Sequence, residues 1–144
     1  MDSSNTGGAA SFAHFLRQSV LRRVEAVYHV DSSRRAWLGH SFGGLFGAWV
    51  RRVEPDLFQD FLLISPSAFW NDGETIRASH QRGGRVFLSY GTSEHGPITR
   101  SVPALAEALE LADVRVRLVA YEGRDHHSVL MPALWDGILE IYGR

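Results

Sequence analysis

The chain has 144 residues, 44% apolar and 22% charged, a globular composition that excludes wholesale disorder. Fifteen cations against sixteen anions leave a net charge of −1, without the basic excess that a nucleic-acid or anionic-membrane partner wants. The absence of cysteine excludes a disulfide scaffold, a thiolate metal site and a cysteine nucleophile.

No run approaches the roughly 20 apolar residues that span a bilayer; the longest, Phe61 to Ile64, is strand length. The N-terminus lacks the basic start and apolar core of a signal peptide, so a cytoplasmic protein is the default expectation. Residues 1–10 are small and polar and read as a flexible lead-in. Residues 11–144 read as one α/β domain.

Phe12, Phe15, Leu16, Val20, Val24, Val27 and Tyr28 recur at helical spacing between arginines, predicting an amphipathic helix with Ser11 as its N-cap. Asp31-Ser32-Ser33 is a turn, Ala36-Trp37-Leu38 a short buried strand, Gly39 to Gly44 a tight turn, and Leu45 to about Val53 a helix stopped before Pro55. Phe61 to Ser65 is a strand, residues 66–84 a loop, and Arg85 to Tyr90 a strand. Pro103 to Ala112 is a helix with Pro in its first turn. Arg115 to Tyr121 is a strand, and Pro132 to Tyr142 the closing helix. This alternation predicts a parallel sheet of about four strands, in the order 36–38, 61–65, 85–90, 115–121, covered by helices on both faces.

Gly39-His40-Ser41-Phe42-Gly43 fits the G-x-S-x-G nucleophile elbow. A serine on a strained strand-to-helix turn exposes its Oγ at a helix N-terminus, where free N–H groups favour developing negative charge. The glycines two before and two after let strand and helix backbones approach. The N–H of Phe42 is the expected oxyanion donor. A base must follow in a loop at another strand's C-terminal end. The order Ser, acid, His removes His14, His29 and His40 from that role, leaving His126 and His127, which spacing alone does not separate. Glu94 is the first carboxylate after strand 85–90 and suits the acid that orients the base. Asp125, adjacent to His126, is less suited because neighbouring side chains seldom face each other. Glu94, His95, Asp125, His126 and His127 lack the helical spacing of a metal site. No phosphate-binding loop is present either, so neither metal nor cofactor is expected.

These residues resemble a known family. Arg34 to Leu45, containing Gly-His-Ser-Phe-Gly-Gly, is similar to the "putative esterase" branch of the α/β-hydrolase superfamily, which includes siderophore esterases. Ser65-Pro66-Ser67-Ala68-Phe69-Trp70 resembles that group's S-P-S-x-W-W loop, and Gly91-Thr92-Ser93-Glu94 its acid loop. His126-His127-Ser128-Val129 resembles its H-x-S-V motif, which selects His126 over His127 as base. The resemblance implies a serine esterase with a Ser41-His126-Glu94 triad and an acyl-enzyme, acting on a small-molecule ester. Trp70 and His40 are then expected near the substrate; for Trp70, packing in the core or a lid is the alternative. Only 40 residues precede Ser41, where the family carries a whole upstream half with a second oxyanion donor. The chain is therefore expected to be the C-terminal half of the fold, with strand 36–38 left as an edge that pairs with a second copy or a complementing N-terminal half. A non-catalytic dimerisation or binding module and an acyltransferase are the rival functions.

Overall fold

The computed structural model describes residues 7–77 and 84–143. Strands β1 (Ala36–His40), β2 (Asp60–Ile64), β3 (Arg85–Gly91) and β4 (Arg115–Tyr121) form a parallel four-stranded sheet in the order β1-β2-β3-β4. The order and direction are those read from the alternation of elements. The helices are α1 (Ala9–Phe15), α2 (Arg22–Val27), α3 (Phe42–Val53), α4 (Trp70–Arg77), α5 (Gly96–Leu111) and α6 (Leu130–Tyr142). None among the described residues is long and apolar enough to cross a membrane.

The central strands are apolar on both faces because both faces are covered. Phe61 and Leu63 of β2 and Val86 and Leu88 of β3 share one core with Val50 of α3 and Ile98, Val102, Leu105 and Leu109 of α5. The alternate residues Leu62, Ile64 and Phe87 join Ala133 and Ile141 of α6 in a second. Asp60 sits opposite Arg85, and its carboxylate accepts two guanidinium hydrogen bonds at 3.0 and 2.8 Å. That bidentate pair pins the β2–β3 register at the end of the sheet away from the elbow. Among the described residues β1 pairs only with β2, and Leu38 on it is 43% exposed.

Several boundaries differ from the sequence reading. Helix begins at Ala9, so Ser11 lies inside α1 and caps nothing; two alanines, the best helix formers, extend the helix backwards. Residues 1–6 of the expected lead-in lie outside the described residues. Between α1 and α2 the chain makes a π turn, Leu16–Leu21. A wider turn changes the phase of every later side chain, and Val24, Val27 and Tyr28 of the expected core stripe are exposed; Phe12 and Phe15, which precede the turn, are exposed as well.

The expected loop 66–84 contains α4, interrupted by Asn71, Asp72 and Gly73 at φ 50°, 53° and 71°. Those three residue types tolerate the left-handed region, so the turn signal was real but sits inside a helical segment. Residues 78–83, with Gly83, lie outside the described residues. Helix α5 starts at Gly96 rather than Pro103, with Pro97 in its first turn and Pro103 in its interior. An interior proline costs about 3 kcal/mol. Four large buried side chains, Ile98, Val102, Leu105 and Leu109, at about 1.5–3 kcal/mol each, outweigh it.

Candidate active site

Ser41 stands between β1 and α3 at φ 57°, ψ −117°, a strained conformation for a residue with a Cβ, costing about 1–3 kcal/mol. The surroundings hold it there. Its N–H donates to the Ile64 carbonyl at 3.0 Å, and its carbonyl accepts from the N–H groups of Leu45 at 3.0 Å and Ser67 at 3.1 Å. Gly39 makes the turn sterically feasible, since a Cβ there would run into the Gly43 carbonyl. The strand runs two residues further than expected, to His40, and the helix begins at once with Phe42. Phe42 is the first helical residue, so its N–H has no intrahelical acceptor. Its ring is 57% exposed and meets Trp70 edge-to-face, centroids 5.3 Å apart. Of the two residues expected near substrate, Trp70 thus lies beside the elbow.

Glu94 is a buried carboxylate with a full set of donors. Its side chain has 0% exposure. Oε1 accepts from Ser65 Oγ at 2.6 Å and from the Gly91 N–H at 2.7 Å. Oε2 lies 2.6 Å from His126 Nδ1. A carboxylate facing a ring nitrogen at that distance accepts, so Nδ1 carries the proton and Nε2 is left as the acceptor. The structure therefore brings Glu94 and His126 together. Among the described residues Ser41 Oγ makes its hydrogen-bond contact with Ser67 Oγ, at 3.5 Å, and none with His126.

Two loops are stitched together to form that pair. The Thr92 N–H donates to the Tyr121 carbonyl and the Ser93 N–H to the Arg124 carbonyl, both at 3.0 Å, and the Gly123 N–H donates to Thr92 Oγ1 at 2.8 Å. Gly91 permits the approach, because a Cβ there would collide with the Arg124 carbonyl. Asp125 is turned onto its own loop. It accepts from the N–H groups of His127 at 3.0 Å and Ser128 at 2.8 Å and from Ser128 Oγ at 2.9 Å. These bonds, led by those from Ser128, hold its carboxyl below the usual range. His127 is exposed.

His40, the other residue expected near substrate, is placed against His126. Its Nε2–H donates to the His126 carbonyl at 2.9 Å, and the two rings lie 4.4 Å apart at 36°. Burial first, then electrostatic coupling to the His126 ring, pushes its imidazole below the ordinary 6.5, which favours the neutral ring. The sequence reading gave no role to Ser65, Ser67 or Gly91. The Ser-Pro-Ser triplet at a strand end was the available signal for the two serines; the contact across Gly91 has none, since it depends on a loop more than 30 residues away.

The chain resembles known proteins along nearly its whole length. It is 40% identical over 138 residues to the ferri-bacillibactin esterase BesA of Bacillus subtilis, covering 96% of this chain and 39% of that protein. It is 28% identical to the siderophore enterobactin esterase of Emericella nidulans, covering 92% of this chain and 56% of the relative. Among solved structures, the BES protein from Bacillus cereus superposes with a TM-score of 0.86 at 25% identity, covering 92% of this chain and 54% of that one. The chain thus spans between about two fifths and three fifths of the length of these relatives. The "Putative esterase" family model matches residues 2–135, and the chain belongs to that family, within the α/β-hydrolase superfamily.

Proposed function

We propose that this chain carries the nucleophile, base and acid of a serine esterase. The observation that carries the reading is the hydrogen bond at 2.6 Å between the buried Glu94 carboxylate and His126 in the same molecule as a strained serine on a strand-to-helix turn. Ser41 Oγ attacks the ester carbonyl carbon while His126 Nε2 takes its proton. Glu94 holds the imidazole tautomer and stabilises the imidazolium. The Phe42 N–H faces the oxyanion of the tetrahedral intermediate. Collapse expels the alcohol, which takes the proton from His126, and leaves an acyl group on Ser41. Water then attacks that acyl-enzyme, giving up a proton to His126, and the carboxylic acid leaves as Ser41 regains its proton.

The substrate class follows from the relatives, which are named for esters of siderophores. Phe42 and Trp70, edge to face beside Ser41, suit an aromatic group on such an ester. The outer edge of β1, unpaired among the described residues, and the exposed Leu38 support completion of the sheet by the further length that the relatives carry. Full activity is then expected when that length is present, in the same chain or as a complementing half. A fluorophosphonate tests the core of the proposal, because it reacts with an activated serine whatever the substrate. Labelling is expected at Ser41, with Ser41→Ala losing both label and about 10⁴-fold or more of any esterase turnover. Undiminished hydrolysis of a short aryl ester by Ser41→Ala overturns the assignment.

A further inference from the structure

Ser65 is the last residue before Pro66, where β2 gives way to the loop. It has a positive φ of 46° and 0% exposure. A serine there is doubly unfavourable, since the left-handed region penalises its Cβ and the interior penalises a hydroxyl. The hydroxyl is used: Oγ–H donates to Glu94 Oε1 at 2.6 Å. The backbone N–H is used as well, donating to the Ser89 carbonyl at 2.7 Å. Its neighbours on either side hold the elbow, as Ile64 accepts from the Ser41 N–H and the Ser67 N–H donates to the Ser41 carbonyl.

We propose that Ser65 is a positioning residue, whose Oγ fixes the rotation of the Glu94 carboxylate so that Oε2 stays in line with His126 Nδ1. A carboxylate rotates about its last bond. Two donors on Oε1, Ser65 Oγ–H and the Gly91 N–H, restrain it as one does not, because they approach from separate chain segments. The backbone of residues 64–67 grips Ser41 at the same time. One segment thus sets both the acid and the nucleophile, and a change in its seating moves them together. The left-handed backbone at Ser65 is what points Oγ to the Glu94 side of the strand end.

The kinetic arm of the test rests on the esterase reading; the spectroscopic arm does not. Glycine is the residue best suited to φ 46°, so Ser65→Gly relieves the backbone while deleting the hydroxyl. Ser65→Ala keeps the Cβ and deletes only Oγ, and serves if the glycine variant folds poorly. Both are expected to lose about 10- to 100-fold in kcat with little change in KM, the effect of a misplaced catalytic group. In both, the downfield proton resonance of His126 Nδ1–H, observed with 15N-histidine labelling, is expected to move upfield or broaden. A purely conformational role for residue 65 predicts the opposite for Ser65→Gly, with full kcat and an unchanged resonance, and that result overturns the proposal. If the wild-type protein shows no hydrolysis, the resonance decides: a changed signal in the variants supports the role of the hydroxyl, and an unchanged one refutes it.

Discussion

Replacing Glu94 by glutamine separates the electrostatic from the packing role of this side chain, because it changes one atom in a fully occupied site. Glu94 offers two acceptor oxygens to three donors: Ser65 Oγ–H and the Gly91 N–H on Oε1, and His126 Nδ1–H on Oε2. Glutamine has one acceptor oxygen and one donor group. If its NH₂ replaces Oε1, it faces the Gly91 N–H, which cannot turn away, and a buried donor is stranded at a cost of about 1–3 kcal/mol. If the NH₂ replaces Oε2, it faces His126 Nδ1. The imidazole then adapts by moving its proton to Nε2, and the second amide N–H is the one buried donor left without an acceptor.

The second arrangement, which leaves the Gly91 N–H paired, is therefore preferred, and stability should fall by about 1–3 kcal/mol. The consequence for turnover is severe, because a protonated Nε2 cannot accept the serine proton; a wrong tautomer of this kind costs about 10⁴ in kcat. Glu94→Ala, by contrast, leaves all three donors without the carboxylate, two of them buried beside Gly91 and Ser65, and should lose about 3 kcal/mol or more of stability besides activity. The assays are a urea midpoint for stability and aryl-ester hydrolysis with fluorophosphonate labelling for turnover. A Glu94→Gln protein that folds normally and keeps its kcat within a few-fold would show that the tautomer of His126 is not what Glu94 controls.

His126→Ala is expected to abolish labelling and turnover while His127→Ala is mild, since only His126 reaches Glu94 and His127 is exposed; the reverse ranking in purified variants contradicts the assignment. His40 predicts a pH dependence of stability. Its folded-state pKa lies below the ordinary 6.5, chiefly through burial and then through coupling to the His126 ring, against smaller opposing effects of its hydrogen bond to the His126 carbonyl and of Glu94. The unfolded chain therefore binds the proton first as pH falls below 6.5, and this contribution to stability, fully present above that pH, is lost on acidification. His40→Gln should flatten the fall of the urea midpoint between about pH 7 and 5, and an unchanged slope counts against the role.

The sheet was legible because its signal is local and redundant. Three apolar runs of strand length and a fourth, Arg115–Tyr121, that opens with alternating arginines, separated by helices, leave little choice of topology, and the parallel order followed. Helix starts were less legible where two cues compete. At α5, Pro103 marks a helix start by local chemistry, yet the buried stripe from Ile98 to Leu109 sets the true one. At the elbow the strain at Ser41 and the close approach at Gly39 were legible locally, whereas a Cβ at Gly43 would meet nothing and the second tight contact falls at Gly44, against Pro66. Glu94 and His126 were legible as chemistry, but their pairing depends on the stitching of loops about 30 residues apart. His40 shows the limit: its place in the motif does not reveal that its Nε2–H meets the His126 carbonyl. Nothing in the residues around it encodes where His126 will lie.

The accuracy of the site reduces to strand register. His40 lies level with Ile64 and Ile64 with Ser89, and Ser89 lies level with Val119. The next row at the C-terminal edge is Ser41, Ser65, Tyr90 and Ala120. Ser41 and Ser65 are therefore neighbours, one strand spacing of about 4.8 Å apart. His126 follows the far strand, three spacings or about 14 Å from β1, and must be brought back. Residues 122–126 can reach about 17 Å if extended, so the loop returns with little slack. It crosses the end of β3 where Gly91 leaves room for the Arg124 carbonyl. A one-residue slip of any strand would turn its side chains to the opposite face and break both apolar cores as well as the site. The packing that stabilises the sheet and the alignment that the chemistry needs are thus the same constraint. That is why a site assembled from four separate strand ends can be held by side chains as small as serine and by glycines that contribute only space.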